Sequence, residues 1–367
     1  MKGKVGILFI VMLFACTAGV YSQEQSSEAT ETAEKTVSTE KFNPGDFIFE
    51  HIKDAYNWHI FTIKKKDGEE VPVSIPLPVI VYSKDRGLNI FMATRFNHGE
   101  SSYHGFYIAQ EGEYKGKILE KTITGEVVRP LDLSFSKDVL AVFISLGLML
   151  WIFISIANSY KKNEGKPPSG LQSVLEPIIL FVRDDIAKAS IGKNYERYMP
   201  FLLTIFFFIW INNLMGIIPI FPGGANVTGN ITVTMALALL TFAITTFVGN
   251  KHYWKDMVNA EGVPWWLKLP IPLMPIIEIM GMFIKPFVLM IRLFANMAAG
   301  HIIALGFISL IFIFGTVHPA VGYGMSVLSI SFTVFMTLLE LLVALIQAYV
   351  FTLLSALYFG LATQEHH

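Results

Sequence analysis

One cysteine, Cys16, in 367 residues leaves no internal disulfide and no cysteine-built metal site. Charge is scarce too. Asp, Glu, Lys and Arg make up 16% of the chain against 53% hydrophobic residues, where a soluble domain carries about a quarter charged residues. The formal net charge of -1 offers no basic surface for nucleic acid. No H-E-x-x-H or G-x-S-x-G run is present, which removes the usual signatures of an intramembrane hydrolase. Nothing in residues 139 to 250 repeats in the last third of the chain, as the inverted halves of a secondary transporter would. What is abundant is apolar, with 30 Phe and 15 Met, the composition of helices that face lipid and one another. The solvent of this chain is a bilayer.

The chain divides by composition. Lys2 and Lys4 precede an apolar run from Val5 to Ala18 and then small and polar residues, so residues 1–22 read as a secretory signal cleaved near Ser22. Leu13-Phe14-Ala15-Cys16 offers a lipoprotein-type alternative. As an uncleaved helix the run falls short of the ~20 apolar residues a crossing needs. Residues 23–41 are Ser, Thr, Glu and Gln with little to bury, and read as a disordered tether. Residues 42–133 are soluble-like and would form a small periplasmic region with β-leaning pieces at Val71 to Tyr82, Leu88 to Met92 and Gly105 to Ala109. Pro72, Pro76 and Pro78 point to an edge or extended segment there. His51, His59, His98 and His104 have no ligand spacing and read as surface or core residues. No metal or cofactor is expected.

Residues 134–367 form the membrane domain. Val139 to Tyr160 is uncharged and long enough to cross, and Lys161, Lys162 and Lys166 behind it place that end in the cytoplasm. Leu171 to Ile191, with Glu176, Arg183, Asp184, Asp185 and Lys188, reads as an amphipathic helix on the cytoplasmic surface. Phe201 to Ile220 runs outward to a Pro-Gly turn, and Ile231 to Val248 returns. Two segments remain, Ile271 to Phe314 and about Gly322 to Ala362. As helices each runs to ~60 Å or more at 1.5 Å per residue, about twice the ~30 Å apolar thickness, so they form a steeply tilted hairpin closed around Pro319. The expectation is an all-α polytopic protein of the cell inner membrane with five transmembrane crossings, a small exported N-terminal region of β character and a cytoplasmic C-terminus. Asn226-Val227-Thr228 and Asn230-Ile231-Thr232 match the glycosylation pattern but read here as turn residues.

Between Pro270 and Ala362 the charged residues are Glu278, Lys285, Arg292 and Glu340. Each needs a reason, because a charge at mid-bilayer costs ~2.5–3.5 kcal/mol even on the lenient insertion scale. On an ideal helix Glu278, Lys285 and Arg292 recur every seven residues and share one stripe, with Asn296 about 40° round from Arg292. His301 points to the opposite side. Glu340 and Gln347 share a face of the second helix. In an antiparallel hairpin the pairs Arg292 with Gln347 and His301 with Glu340 have nearly equal index sums, so both pairs can face each other at once. The bland alternatives are that Arg292 pairs with Glu340 or Glu278 to hold the hairpin, that Lys285 snorkels or neutralises Glu278, and that Glu278 is an acid at a helix start.

These residues carry a resemblance. Lys285-Pro286 and then Arg292-Leu293-Phe294-Ala295-Asn296-Met297 with Ala299-Gly300-His301 resemble the most recognisable stretch of F-type ATP synthase subunit a. Leu345-Ile346-Gln347-Ala348-Tyr349-Val350-Phe351 looks like that family's last helix, while Asn213-Leu214-Met215-Gly216-Ile217-Ile218-Pro219 and Asn230-Ile231-Thr232-Val233-Thr234 resemble earlier ones. The likeness spans residues 135 to 367. It implies proton translocation through the F0 sector, with Arg292 as the stator arginine and Asn296, His301, Glu340, Gln347 and Glu278 along the proton paths, Lys285 and Asn213 being auxiliary. It further implies the c-ring, with its carboxylates, and the subunit b stalk as partners, in a channel subunit with no active site of its own. Bacterial relatives carry Glu and His at the positions matching His301 and Glu340, so the pair is exchanged here. The coupling ion, H⁺ or Na⁺, would be chosen by ligands on the partner ring.

Overall fold

The structure is a computed structural model that describes residues 44, 45, 48, 54–64, 70–99, 101–122, 125–162, 165–218, 223–258 and 273–363. The signal, the Cys16 alternative, the tether and His51 lie outside the described residues.

Past residue 54 the chain builds short antiparallel ladders. Strand β1 (Asn57–Lys64) pairs with β2 (Glu70–Pro76). Strands β3 (Pro78–Ser83), β4 (Gly87–Met92) and β8 (Leu131–Asp132) form a sheet in the order β4-β3-β8, and β5 (Phe106–Ile108), β6 (Ile118–Lys121) and β7 (Val127–Val128) form another. The expected Val71 to Tyr82 strand is therefore two, broken at Leu77. Pro72 and Pro76 sit in a strand with one neighbour, and Pro78 opens the next, the positions where a missing N–H costs no ladder bond. Val79, Val81, Phe96, Phe106 and Ile118 make the core of this β region, and Arg86 reaches buried Glu120 at 3.2 Å. Tyr56 donates to the Asp132 carboxylate. Burial first, then the charge of Asp132, push its phenol well above the usual range, so it stays a donor.

Among the described residues the helices of eight residues or more that follow are α1 (Lys137–Lys162), α2 (Leu171–Phe181), α3 (Tyr195–Ile217), α4 (Ile231–Val248), α5 (Lys251–Val258), α6 (Leu273–Val317) and α7 (Pro319–Thr363). Helix α2 continues through a wide π-type stretch, Val182–Lys188. There Val182, Ile186 and Ala187 are buried while Asp184 holds Arg183 at 2.8 Å and Lys188 at 2.6 Å outside. This is the amphipathic division expected of that segment. Helices α1, α4, α6 and α7 and the run from α2 through α3 are long and apolar enough to cross a membrane, five candidate spans among the described residues. Asn230 caps α4, its side chain accepting from the Thr232 N–H at 3.1 Å.

Helix α3 is apolar nearly all round, so it must be enclosed. Leu202, Ile205, Phe206, Phe207, Phe208 and Ile209 are all buried. Against it α7 presents Ala344, Ala348, Thr352 and Ala356 at strict four-residue spacing, each 0% exposed, with Gly360 next in the series. Small residues at that spacing let helix backbones approach where lipid gives no hydrophobic drive. The approach is tightest at Gly360, where an added Cβ would stand 2.0 Å from the Ser190 carbonyl oxygen.

The hairpin of α6 and α7 closes on one residue, His318, and Pro319 is the first residue of α7. The sequence pattern leaves Thr316 to Gly324 as the turn, but the helices run through most of it because a first-turn N–H has no helical partner for proline to remove. Contacts run the length of the pair. Gly322 lies against the Gly315 backbone, Phe307 stacks on Phe332 at 5.1 Å, and Lys285 lies over the Tyr358 ring at 5.5 Å. Each helix has 45 residues, about 68 Å at 1.5 Å per residue, so neither fits upright in ~30 Å of hydrocarbon.

The β region docks on one end of this bundle. Trp58, 3% exposed, belongs to the same apolar core as Ala141, Val142 and Phe206, and the Lys137 N–H donates to the Ala55 carbonyl at 2.9 Å. Gly360→Ala overpacks the helix contact and should cost about 1–3 kcal/mol. It is expected to lower the thermal midpoint of the detergent-extracted protein, while Gly281→Ala, with nothing within 4 Å of the added atom, leaves it unchanged.

Candidate functional site: an unpaired arginine and a buried histidine–glutamate pair

Arg292 lies near the middle of α6 and is exposed, together with Ala295, Asn296 and Ala299 on the same side. Around them the exposed positions are apolar, among them Val288, Ile291, Leu341, Leu342 and Leu345. One guanidinium and one amide thus stand on a broad hydrophobic face whose alanines let another surface come close. Among the described residues no ion pair joins Arg292 to a carboxylate and no hydrogen bond joins it to Gln347. The side chain near enough to feel its charge is Tyr358. Gln347 is 5% exposed and points into the bundle. The facing of Arg292 with Gln347 expected from the hairpin register is therefore not a hydrogen-bonded contact: the two residues occupy the outer and inner faces of the hairpin.

The other pair does meet. His301 Nδ1 lies 3.9 Å from Glu340 Oε1, with side chains only 16% and 12% exposed. Two carbonyls fix the imidazole. Its Nδ1 is 3.1 Å from the Met297 carbonyl, its Nε2 is 3.2 Å from the Gly216 carbonyl of α3, and both can be donated to at once only by a doubly protonated ring. Glu340 Oε1 is buried without a hydrogen-bond partner. Gly300 makes room for this carboxylate, since a Cβ there would stand 2.2 Å from Glu340 Oε1. The site thus holds one acid and one imidazole in proton-exchange reach, at the end of the bundle that carries the β region. Because Glu340 is engaged by His301, it is not the counterion of Arg292.

Asn213, fully buried on α3, bridges toward this pair. It accepts from Thr228 at 2.6 Å and donates to the Ala344 carbonyl of α7 at 3.3 Å, one helical turn from Glu340.

The remaining candidates lie toward the opposite end. Lys285 is half-buried over Tyr358 and lines a small cleft with Thr241, Thr245 and Tyr253. No ion pair joins it to Glu278 among the described residues. Glu278 is exposed and close enough to Tyr253 that its charge, after burial, pushes that phenol above its usual range. Behind the cleft Thr241 and Ser355 hydroxyls meet at 3.4 Å across α4 and α7. The stripe of Glu278, Lys285 and Arg292 is thus divided by its surroundings: its ends are exposed and its middle member is turned onto an aromatic ring.

Sequence reasoning did not find Asp138, Asn226 or Asn212, all buried with an unpartnered side-chain atom. The signal available was a polar residue beside an apolar run, which turn chemistry and helix starts explain equally well. Among the described residues no group of three His, Cys, Asp or Glu side chains is placed to hold a metal ion.

The sequence profile of the family described as "ATP synthase A chain" matches residues 139–360, which include every residue of this site. The chain belongs to that family. A second profile, for a domain of unknown function (DUF8433), matches residues 47–133. ATP synthase subunit a of Chloroherpeton thalassium is 42% identical over 246 residues, covering 64% of this chain and 69% of that protein. The subunit a of Chlorobium phaeobacteroides strain DSM 266 is 38% identical over 73% of this chain and 80% of its own length, and that of Myxococcus xanthus 42% identical over 65% and 75%. As a multi-pass inner-membrane member of the ATP synthase A chain family, the chain works in proton translocation in the F0 sector.

Gly300→Ala pushes the Glu340 carboxylate off His301. Proton conduction by F1-stripped vesicles should slow while the amount of complex in the membrane stays the same.

Proposed function

We propose that Arg292 is the fixed stator charge that faces the carboxylates of a rotating c-ring, and that His301 with Glu340 loads protons onto that ring from the periplasmic side. The observation that carries the reading is an exposed guanidinium in an apolar face with no carboxylate paired to it among the described residues. Such a charge is tolerable mid-membrane only if something else supplies the anion.

The physics follows from the residue. An arginine keeps its proton under all protein conditions, so Arg292 is no relay. A neutral ring carboxyl turning toward it is favoured in its ionised form and gives up its proton. The same cation repels a proton trying to pass directly between the two sides. Protons must then ride the ring, and each charge moved through the potential supplies ~2.3 kcal/mol per 100 mV.

On the loading side, His301 and Glu340 pass protons between an imidazole and an acid. Asn213 holds α3, α7 and the 223–230 loop around them. Release runs to the cytoplasm past Lys285 and the Thr241, Tyr253 and Tyr358 cleft, toward Glu278. Asn296 beside Arg292 orients water or the incoming ring carboxyl, and Gln347 behind the hairpin supports the passage. In this orientation the β region is periplasmic and the C-terminus cytoplasmic, in keeping with Lys161, Lys162 and Lys166 at the far end of α1. The charged outer face of the α2 run and the exposed side of α1 suit the peripheral stalk b.

Arg292→Ala is expected to abolish ATP-driven proton pumping in inverted vesicles with the complex still assembled, and Arg292→Lys to fail as badly, for lack of a permanent planar charge. Normal pumping by either variant defeats the stator reading. His301→Ala should lower the rate of passive conduction more than it lowers the yield of complex; an equal loss of both would make the histidine structural.

A further inference from the structure

We propose that Asp138, held between Asp54 of the β region and Asn230 of the membrane domain, is the outermost proton-binding group of the periplasmic half-channel, with the β region forming its outer wall. The inference rests on the loading role of His301 and Glu340 set out above and extends that path to its mouth.

Asp138 is the second residue of α1 and 2% exposed. Its backbone N–H donates to Asp54 Oδ1 at 3.0 Å, so the β region supplies part of its setting. One carboxylate oxygen accepts from Asn230 Nδ2 at 2.9 Å. The other is buried with no hydrogen-bond partner among the described residues. A carboxylate serving only as a first-turn acid would keep its oxygens in water or on backbone amides, whereas an open buried oxygen is a place for a proton or a water to sit. The charged groups around it are Asp54 and its neighbour Lys137, with Lys117 across the cleft.

The group has access on one side and a polar track on the other. Outside, a cleft lined by Asp54, Tyr56, Lys117, Arg129, Asp132 and Ser136 opens beside the joint. Inside, Asn230 leads along its loop to Asn226, whose buried Nδ2 also lacks a partner. Next comes Thr228, bonded to Asn213, and Asn213 reaches the α7 backbone below Glu340. The Ala225 carbonyl on that loop and the His301 ring both lie beside Gly216, at 3.5 Å and 3.7 Å from the position of an added Cβ. The Asp138 and Asn226 atoms left without partners are buried, where each costs about 1–3 kcal/mol unless water completes it. A file of water from the cleft to His301 would complete them, and Asp138 stands at its head. In this step a proton from external water binds the free Asp138 oxygen and leaves through water along the loop, with no other bond changed.

The test uses whole ATP synthase in membrane vesicles. Asp138→Asn, which keeps the Asn230 contact, should slow passive proton conduction about tenfold at pH 8, where protons are scarce, and much less at pH 6. Asp138→Glu should restore most of the rate, and Asp54→Asn should shift the pH profile without changing the amount of complex. Wild-type conduction by Asp138→Asn at every pH overturns the proposal. So does a loss of conduction that is the same at all pH values or merely follows a loss of assembled complex. Arg292→Ala is run alongside: pumping by that variant defeats the stator reading itself, whereas a silent Arg292→Ala with an unaffected Asp138→Asn defeats the proton-loading proposal alone.

Discussion

A guanidinium that cannot discharge, exposed on an apolar face with no carboxylate paired to it among the described residues, is the constraint on which the proposed function depends. A bare charge at mid-bilayer costs ~2.5–3.5 kcal/mol or more, and on the proposed reading an outside anion offsets that cost on the exposed side of Arg292. The acid that might have neutralised it, Glu340, is occupied by His301 at 3.9 Å. The lysine one stripe position away lies over Tyr358. Each neighbour is thus tied elsewhere, and the positive face stays available.

The enclosure behind that face is built from residues chosen for smallness. Ala344, Ala348, Thr352, Ala356 and Gly360 bring α7 against α3 and the end of the α2 run, and Gly300 lets the Glu340 side chain fold back over α6. In water such a stripe would bury little apolar area. In lipid, where helix association depends on close van der Waals fit and internal hydrogen bonds, it is what holds the bundle. The polar groups among these helices, Asn213 with Thr228 and Thr241 with Ser355, are consequently cross-links within the bundle.

Much of this was legible in the sequence, and the reasons differ by element. Helix α4 matched its expected bounds, Ile231–Val248, because Asn230 and Gly249 mark its ends. The two long helices were visible as apolar runs with four charges. The meeting of His301 with Glu340 followed from antiparallel register, which is set by geometry alone. The same register faced Arg292 with Gln347, yet facing in level is not contact: rotation about the helix axes put one residue on the outer face and the other on the inner. Asp138 stayed hidden for another reason. Its burial comes from Asp54, 84 residues earlier, and from Asn230, and no local pattern records a contact made across two regions of the fold. The β region was legible as a group of short strands but not in its pairing, since β3 finds β8 through a long return of the chain.

The one-residue join at His318 has a mechanical meaning. Two rods coupled so tightly at one end, and interlocked by Gly315 with Gly322 and Phe307 with Phe332, cannot slide past each other. The axial interval between the guanidinium and the imidazole, nine residues or ~13 Å on one helix, then behaves as a rigid gauge. Thermal rocking of the hairpin would carry both residues together, so on the proposed mechanism the spacing between proton pickup and the fixed cation is set by covalent length rather than by packing that can yield.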